Sequence, residues 1–206
     1  MQTDKIDVNN RGLGLDKVRR DVEMFAQYQQ LDSKETLRLN LLAEEMMGMV
    51  QGIVGKFAAY FWLDGNKEEV DLHLEAYISM NPDRKEGLLA VSASGKNMAA
   101  KGIMGKVRDV MENFLLNYEE VGRYASQNGI DMFAYDEFGM MYSGMDWMDR
   151  SWSLERYKGC VMEHMTEEAG AEAWDELEKS IVGRLADDVR VGVRANHVEV
   201  VIKRKF

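Results

Sequence analysis

The stretch EVDLHLEAYIS, residues 69–79, alternates apolar and polar side chains along its length. Its apolar members share one side of an extended chain; they are Val70, Leu72, Leu74, Ala76 and Ile78. The polar members on the opposite side are Asp71, His73, Glu75 and Tyr77. This alternation is typical of an antiparallel strand with one buried face. The stretch therefore predicts a sheet that turns one face toward a hydrophobic core.

Three neighbouring patterns extend this sheet. KFAAYFWL, residues 56–63, is rich in strand-forming residues, and Asp64-Gly65-Asn66 provides a turn into the next strand. DVRVGVRANHVEVVIKRKF, residues 188–206, predicts a closing hairpin that turns across Arg194 to His197. TDKIDV, residues 3–8, predicts an edge strand.

Helical spacing of apolar residues marks four further segments. The first begins at Leu15 and continues to Tyr28, and the second opens at a capping box over 32–35 and ends near Gly52 to Gly55. Helices are also predicted over 97–116 and, without interruption, over 166–188. The fold class that follows is α/β, of the α+β kind. It is a two-layer sandwich with a mixed, mostly antiparallel sheet and helices packed on one face.

Composition limits the class of protein. The 206 residues suit a single domain, and the formal net charge of −10 with a pI of about 4.9 makes nucleic acid an unexpected partner. No apolar run is long enough to span a bilayer, and the polar N-terminus does not resemble a signal peptide. Cys160 is the only cysteine. We expect a reducing, cytoplasmic location without membrane contact.

Residues 118–165 form a predicted insertion or lid within the domain. The part from Met132 to Trp152 mixes methionine, aromatic, glycine and acidic residues without a stable period. Such a surface suits a protein partner, and a homodimer is left open. The alternative is a local mini-core that covers a sheet face, because exposing so much apolar area would favour aggregation.

Glu45 is the candidate catalytic residue. It lies about 60° around the helix from Leu42, at the rim of the apolar face. A partly desolvated carboxylate at that position can act as a general base. The alternative is an ordinary flanking glutamate.

The order of elements, together with LLAEE at 41–45, resembles the ATP-binding fold of histidine kinases, the Hsp90 chaperone and gyrase. The layout is most similar to that of the anti-sigma-factor serine kinases. The resemblance implies that Glu45 occupies the position of the catalytic base and that ATP or ADP is the ligand. LLAEEMMGM and SASGKNMAAKGIMGK also resemble segments of uncharacterised short bacterial proteins, some of them labelled ATP-binding.

The sequence departs from the pattern of this family at two motifs. The magnesium-binding asparagine should follow Glu45 by four residues, but Met49 stands there, and a thioether is a poor ligand for Mg²⁺. The adenine-reading Asp-x-Gly-x-Gly motif is absent from 78–87, where Asn81 and Asp83 are approximate substitutes. Asp131 or Asp136 in the insertion could supply a replacement metal ligand.

The segment 92–114 holds the candidate phosphate-binding residues. Glycines let backbone amides approach a phosphate, and lysines add full positive charge at a helix start. The candidate residues are Lys96, Lys101, Gly102, Gly105 and Lys106. The segment is not a Walker A loop, because Asn97 follows Gly95-Lys96 where serine or threonine is required. The alternative is a flexible segment with solvated lysines.

No metal site is inferred, because the three histidines are scattered and lack ligands at suitable spacing. The sequence therefore predicts a regulatory module on a degenerate ATPase or kinase fold that is non-catalytic or binds nucleotide weakly. One alternative is an active ATP-dependent serine kinase or ATPase. Another is a protein-interaction domain with no ligand.

Overall fold

A computed structural model describes most of the chain. The described ranges are 1–51, 58–77, 103–104, 106–108, 151–166, 168–194 and 197–206. Four of the six candidate site residues lie outside these ranges, as do the Met-rich residues up to 150.

Six strands form a single sheet. They are β1 (Ile6–Asn9), β2 (Ala58–Gly65), β3 (Glu69–Tyr77), β4 (Ser151–Ser153), β5 (Asp188–Arg194) and β6 (His197–Lys205). Their order across the sheet is β1-β2-β3-β6-β5-β4, and each of these neighbouring pairs is antiparallel. The predicted edge strand, the first hairpin and the closing hairpin are all present.

In the described ranges, five labelled helices accompany the sheet. They are α1 (Leu15–Tyr28), α2 (Ser33–Gln51), α3 (Leu154–Glu163), α4 (Glu168–Lys179) and α5 (Ile181–Leu185). Residues 103–104 and 106–108 are helical as well, within the segment predicted as a helix over 97–116. This combination of an antiparallel sheet and helices confirms the α+β class.

Local chemistry fixes where the first two helices begin. Gly14 precedes α1 with a φ of 84°, and a Cβ there would lie 2.3 Å from the Asp7 carbonyl oxygen, so only glycine fits. Asp32 caps α2, because its carboxylate accepts the backbone N–H of Glu35 at 2.8 Å. The carboxylate of Glu35 instead bonds Arg38 and Arg204, so only half of the predicted capping box forms.

The prediction of one uninterrupted helix over 166–188 is wrong. Ser180 has an extended ψ of 132° and ends the regular helix after α4. Its hydroxyl then accepts the backbone N–H of Gly183 and caps α5. The bend brings Gly183 close to α4, where a Cβ would lie 2.4 Å from the Leu177 carbonyl oxygen.

The helices cover one face of the sheet. Phe61, Leu72 and Val200 from the strands share a core cluster with Phe25 and Leu39 from the helices. Because β3 alternates buried and partly exposed residues along its length, its polar side chains lie on the other face. The described helices therefore form one layer and the sheet the other.

Residues 151–163 fall within the predicted insertion. The structure places them in β4 and α3, with Trp152, Leu154 and Val161 in the common core. Residues 118–150 of the insertion lie outside the described residues, so its boundary stays a prediction. In the described part of the chain, no helix combines the length and apolarity that a bilayer crossing requires.

Candidate functional site

The Glu45 carboxyl is half-buried on α2, between the solvent and the core. Burial raises its pKa above the ordinary value, and the neighbouring Glu44 carboxylate raises it further. Glu44 itself is exposed and bonds Arg19 at 2.7 Å. In the described residues, Glu45 forms neither a hydrogen bond nor an ion pair. The carboxyl is therefore partly desolvated, as its position at the rim predicts, and no described side chain compensates for the lost water.

Met49, one turn beyond Glu45, belongs to the hydrophobic core. Only 4% of its surface is exposed, and it packs in the same cluster as Met46 and Val50. The side chain at this position therefore contributes to packing. A polar ligand for a hard cation would be costly there, because its oxygen would lose water without gaining a partner.

Lys106 is the one candidate phosphate ligand that lies within the described residues. Its ammonium donates to the Tyr157 hydroxyl at 2.6 Å and lies 3.2 Å from the Glu176 carboxylate. Burial alone would lower the lysine pKa. The hydrogen bond to Tyr157 and the interaction with Glu176 outweigh this effect, so the pKa is raised. The Lys106 ammonium is therefore positively charged and is bound by Tyr157 and Glu176, unlike a freely solvated lysine.

The geometry of this contact is that of a hydrogen bond more than a cation–π contact. The ammonium lies 5.0 Å from the Tyr157 ring centroid while remaining 2.6 Å from its hydroxyl oxygen. It therefore sits beyond the hydroxyl edge of the ring and not over its face. The Trp152 ring also packs near Tyr157, with ring centroids 5.9 Å apart and ring planes tilted by 43°.

The other four candidates, Lys96, Lys101, Gly102 and Gly105, lie outside the described residues. Glu45 and Lys106 have no direct contact in the described part of the chain. The structure instead joins Lys106 to Tyr157 on α3 and Glu176 on α4. Sequence reasoning missed both partners, because they lie 51 and 70 positions away and carry no local motif.

A second polar cluster occupies the sheet face opposite the helices. The Trp62 indole stacks on His73 with ring centroids 4.7 Å apart, and the Lys5 ammonium lies 4.2 Å from a Trp62 ring centroid. Glu75 bonds Lys5 at 2.5 Å and His197 at 2.9 Å. The Glu75 carboxylate thus interacts with both the Lys5 ammonium and the His197 imidazole. These contacts between side chains of neighbouring parts of the sheet stabilise it.

Metal binding has little basis in the described side chains. Across these ranges, no group of three or more histidine, cysteine, aspartate and glutamate side chains is arranged to hold a metal ion. Asp131 and Asp136, the suggested replacement ligands, lie outside them.

Comparisons with protein-family models, with curated proteins and with solved structures find no match to this chain.

Proposed function

We propose that this protein is a regulatory module that binds an adenine nucleotide without turning it over. The observation that carries the proposal is the Glu45 carboxyl, which is half-buried and has no hydrogen-bond or ion-pair partner among the described residues; burial raises its pKa. Such a carboxyl costs free energy in the folded state. Groups with this property are enriched at functional sites. The resemblance to the ATP-binding fold implies that the ligand is an adenine nucleotide.

One feature favours binding over catalysis. Met49 stands where the resemblance would put the magnesium ligand, and it is buried in the core, where it supports packing. The adenine-reading aspartate motif is absent from the sequence, so the proposal requires other residues to recognise the adenine. A phosphoryl transfer that depends on Mg²⁺ needs a positioned oxygen ligand, which α2 does not supply at this position. The proposed location is the cytoplasm, where nucleotides are abundant.

The test is a thermal shift assay with ATP and ADP, each with and without Mg²⁺. A ligand at about 100 times its Kd stabilises the folded state by about 2.7 kcal/mol. For a domain of this size that corresponds to about 5–10 °C. A shift that does not need Mg²⁺ supports the proposal. Absence of a shift at millimolar nucleotide refutes it.

The active-enzyme alternative makes a different prediction. There Glu45 would accept a proton from the attacking hydroxyl or water. An active enzyme should release phosphate or transfer it to a protein. Either activity should depend on Mg²⁺ and should be lost in the Glu45→Gln variant. ATP binding without either product favours the non-catalytic module.

An exposed apolar surface on α1 and α2 favours a second candidate, a protein-interaction domain. Met24, Tyr28 and Leu37 are each at least 59% exposed. Leu37 also lines an open cleft of about 450 Å³, together with Gln27 and Leu31. Large exposed side chains in one region are typical of docking surfaces. Light scattering of wild type and Met24→Glu tests self-association through this surface.

A further inference from the structure

Lys106, Tyr157 and Glu176 form a compact arrangement of two hydrogen-bond donors and one acid. Among the described residues, the polar partners of the Lys106 ammonium are Tyr157 on α3 and Glu176 on α4. Its side chain is 32% exposed, and the Glu176 side chain is 55% exposed. Solvent-borne ligands can therefore reach the ammonium, while the glutamate can move away from it.

The hydrogen bonding of Tyr157 leaves one donor unused. A lysine ammonium only donates, so the Tyr157 oxygen must be the acceptor in the 2.6 Å contact. The hydroxyl hydrogen then points elsewhere. Among the residues that the structure describes, no acceptor takes it. An anion placed beside Lys106 could accept from both the ammonium and the phenol.

We infer that Lys106 and Tyr157 form a binding site for a phosphoryl group, and that Glu176 is a built-in competitor which the phosphate displaces. This inference rests on the proposed nucleotide function and assigns its phosphate contact. The carboxylate neutralises the lysine when no ligand is bound. A phosphate carries more charge and more acceptor oxygens than a carboxylate, and it can engage both donors at once.

Four variants test this arrangement by isothermal titration with ATP and with pyrophosphate. Glu176→Gln should bind about two- to fivefold more tightly, since a partly exposed ion pair competes weakly. Lys106→Gln should weaken binding about tenfold or more, because it removes a charge-assisted hydrogen bond. Tyr157→Phe should weaken it about threefold.

Asp175→Asn is the matched control. Asp175 neighbours Glu176 on α4, is 58% exposed and pairs with Lys179, so its replacement removes one negative charge from the same surface. Affinity within twofold of wild type is expected. If Asp175→Asn tightens binding as much as Glu176→Gln does, general electrostatics explains the gain and the inference is overturned. Circular dichroism verifies that each variant folds.

The outcomes separate this inference from the proposed function. If ATP binds equally to wild type and Lys106→Gln, the nucleotide lies elsewhere and only the phosphoryl-site inference fails. If ATP binds to no variant but pyrophosphate binds Glu176→Gln and not Lys106→Gln, the site stands and the nucleotide function fails. If neither probe binds wild type or Glu176→Gln, both are refuted.

Discussion

Replacement of Glu45 with glutamine should stabilise the folded protein at neutral pH. The folded state raises the pKa of this carboxyl because burial disfavours its ionised form, and Glu44 adds repulsion. An amide of nearly the same shape removes the ionisation cost. Since Glu45 is only half-buried, solvent screening reduces the gain, and we expect about 0.5 kcal/mol. That corresponds to about 1–2 °C in Tm for a protein of this size.

The pH dependence identifies the cause. A carboxyl whose folded pKa is raised contributes stability below its unfolded pKa, about 4.3 for glutamate, and loses it as the pH rises through the folded value. Wild type and Glu45→Gln should therefore unfold at similar urea concentrations near pH 4 and diverge toward pH 7. Above the folded pKa the difference stays constant.

Glu44→Gln is the matched control, because Glu44 is exposed and ion-paired with Arg19. Replacing Glu44 removes both its favourable ion pair with Arg19 and its repulsion with Glu45. These effects oppose each other, so the free energy of unfolding should change by no more than about 0.5 kcal/mol. Urea unfolding of all three proteins between pH 4 and pH 8 makes the comparison. The reasoning is refuted if Glu45→Gln is less stable than wild type at pH 7, or if the difference in stability between the two proteins is the same at every pH.

Substitutions at three other positions test the fold. Glu75→Gln should lower the free energy of unfolding by about 0.5–1 kcal/mol at pH 7, after allowance for screening, because Lys5 and His197 lower the Glu75 pKa. In urea unfolding, this difference from wild type should vanish as the pH falls through the pKa of Glu75 in the folded state. Gly14→Ala should destabilise by at least about 2 kcal/mol in the same assay, because a left-handed φ and a clash coincide; a neutral result contradicts the backbone geometry. Ser180→Ala should lower stability by about 1 kcal/mol through loss of the α5 cap, and Ser180→Asp should restore part of it.

Part of the candidate site could be predicted from the sequence. The rim position of Glu45 follows from helical geometry alone, because 100° per residue places it beside Leu42. Burial of Met49 follows from the same periodicity. The partners of Lys106 could not be predicted, since a hydrogen bond between Lys106 and Tyr157 depends on how α3 and the 103–108 segment meet in space.

Several elements show why the fold was only partly predictable. The continuous helical pattern over 166–188 concealed the break at Ser180, because a serine can continue a helix or cap a new one. The three residues of β4 are too short to show a period of their own. Trp152 in this strand pairs with Val191 of β5, and both side chains belong to the common core.

The sequence by itself determined the fold class of this protein, which is an antiparallel sheet with one apolar face that amphipathic helices cover. Side-chain periods of 2 and 3.6 residues are local properties and can be read without coordinates. Only the tertiary structure decided the order of the strands, the position of α3 and β4 on the common core, and the pairing of Lys106 with Tyr157 and Glu176. These features join residues that are distant in sequence, and the packing that brings them together leaves no local periodic signal.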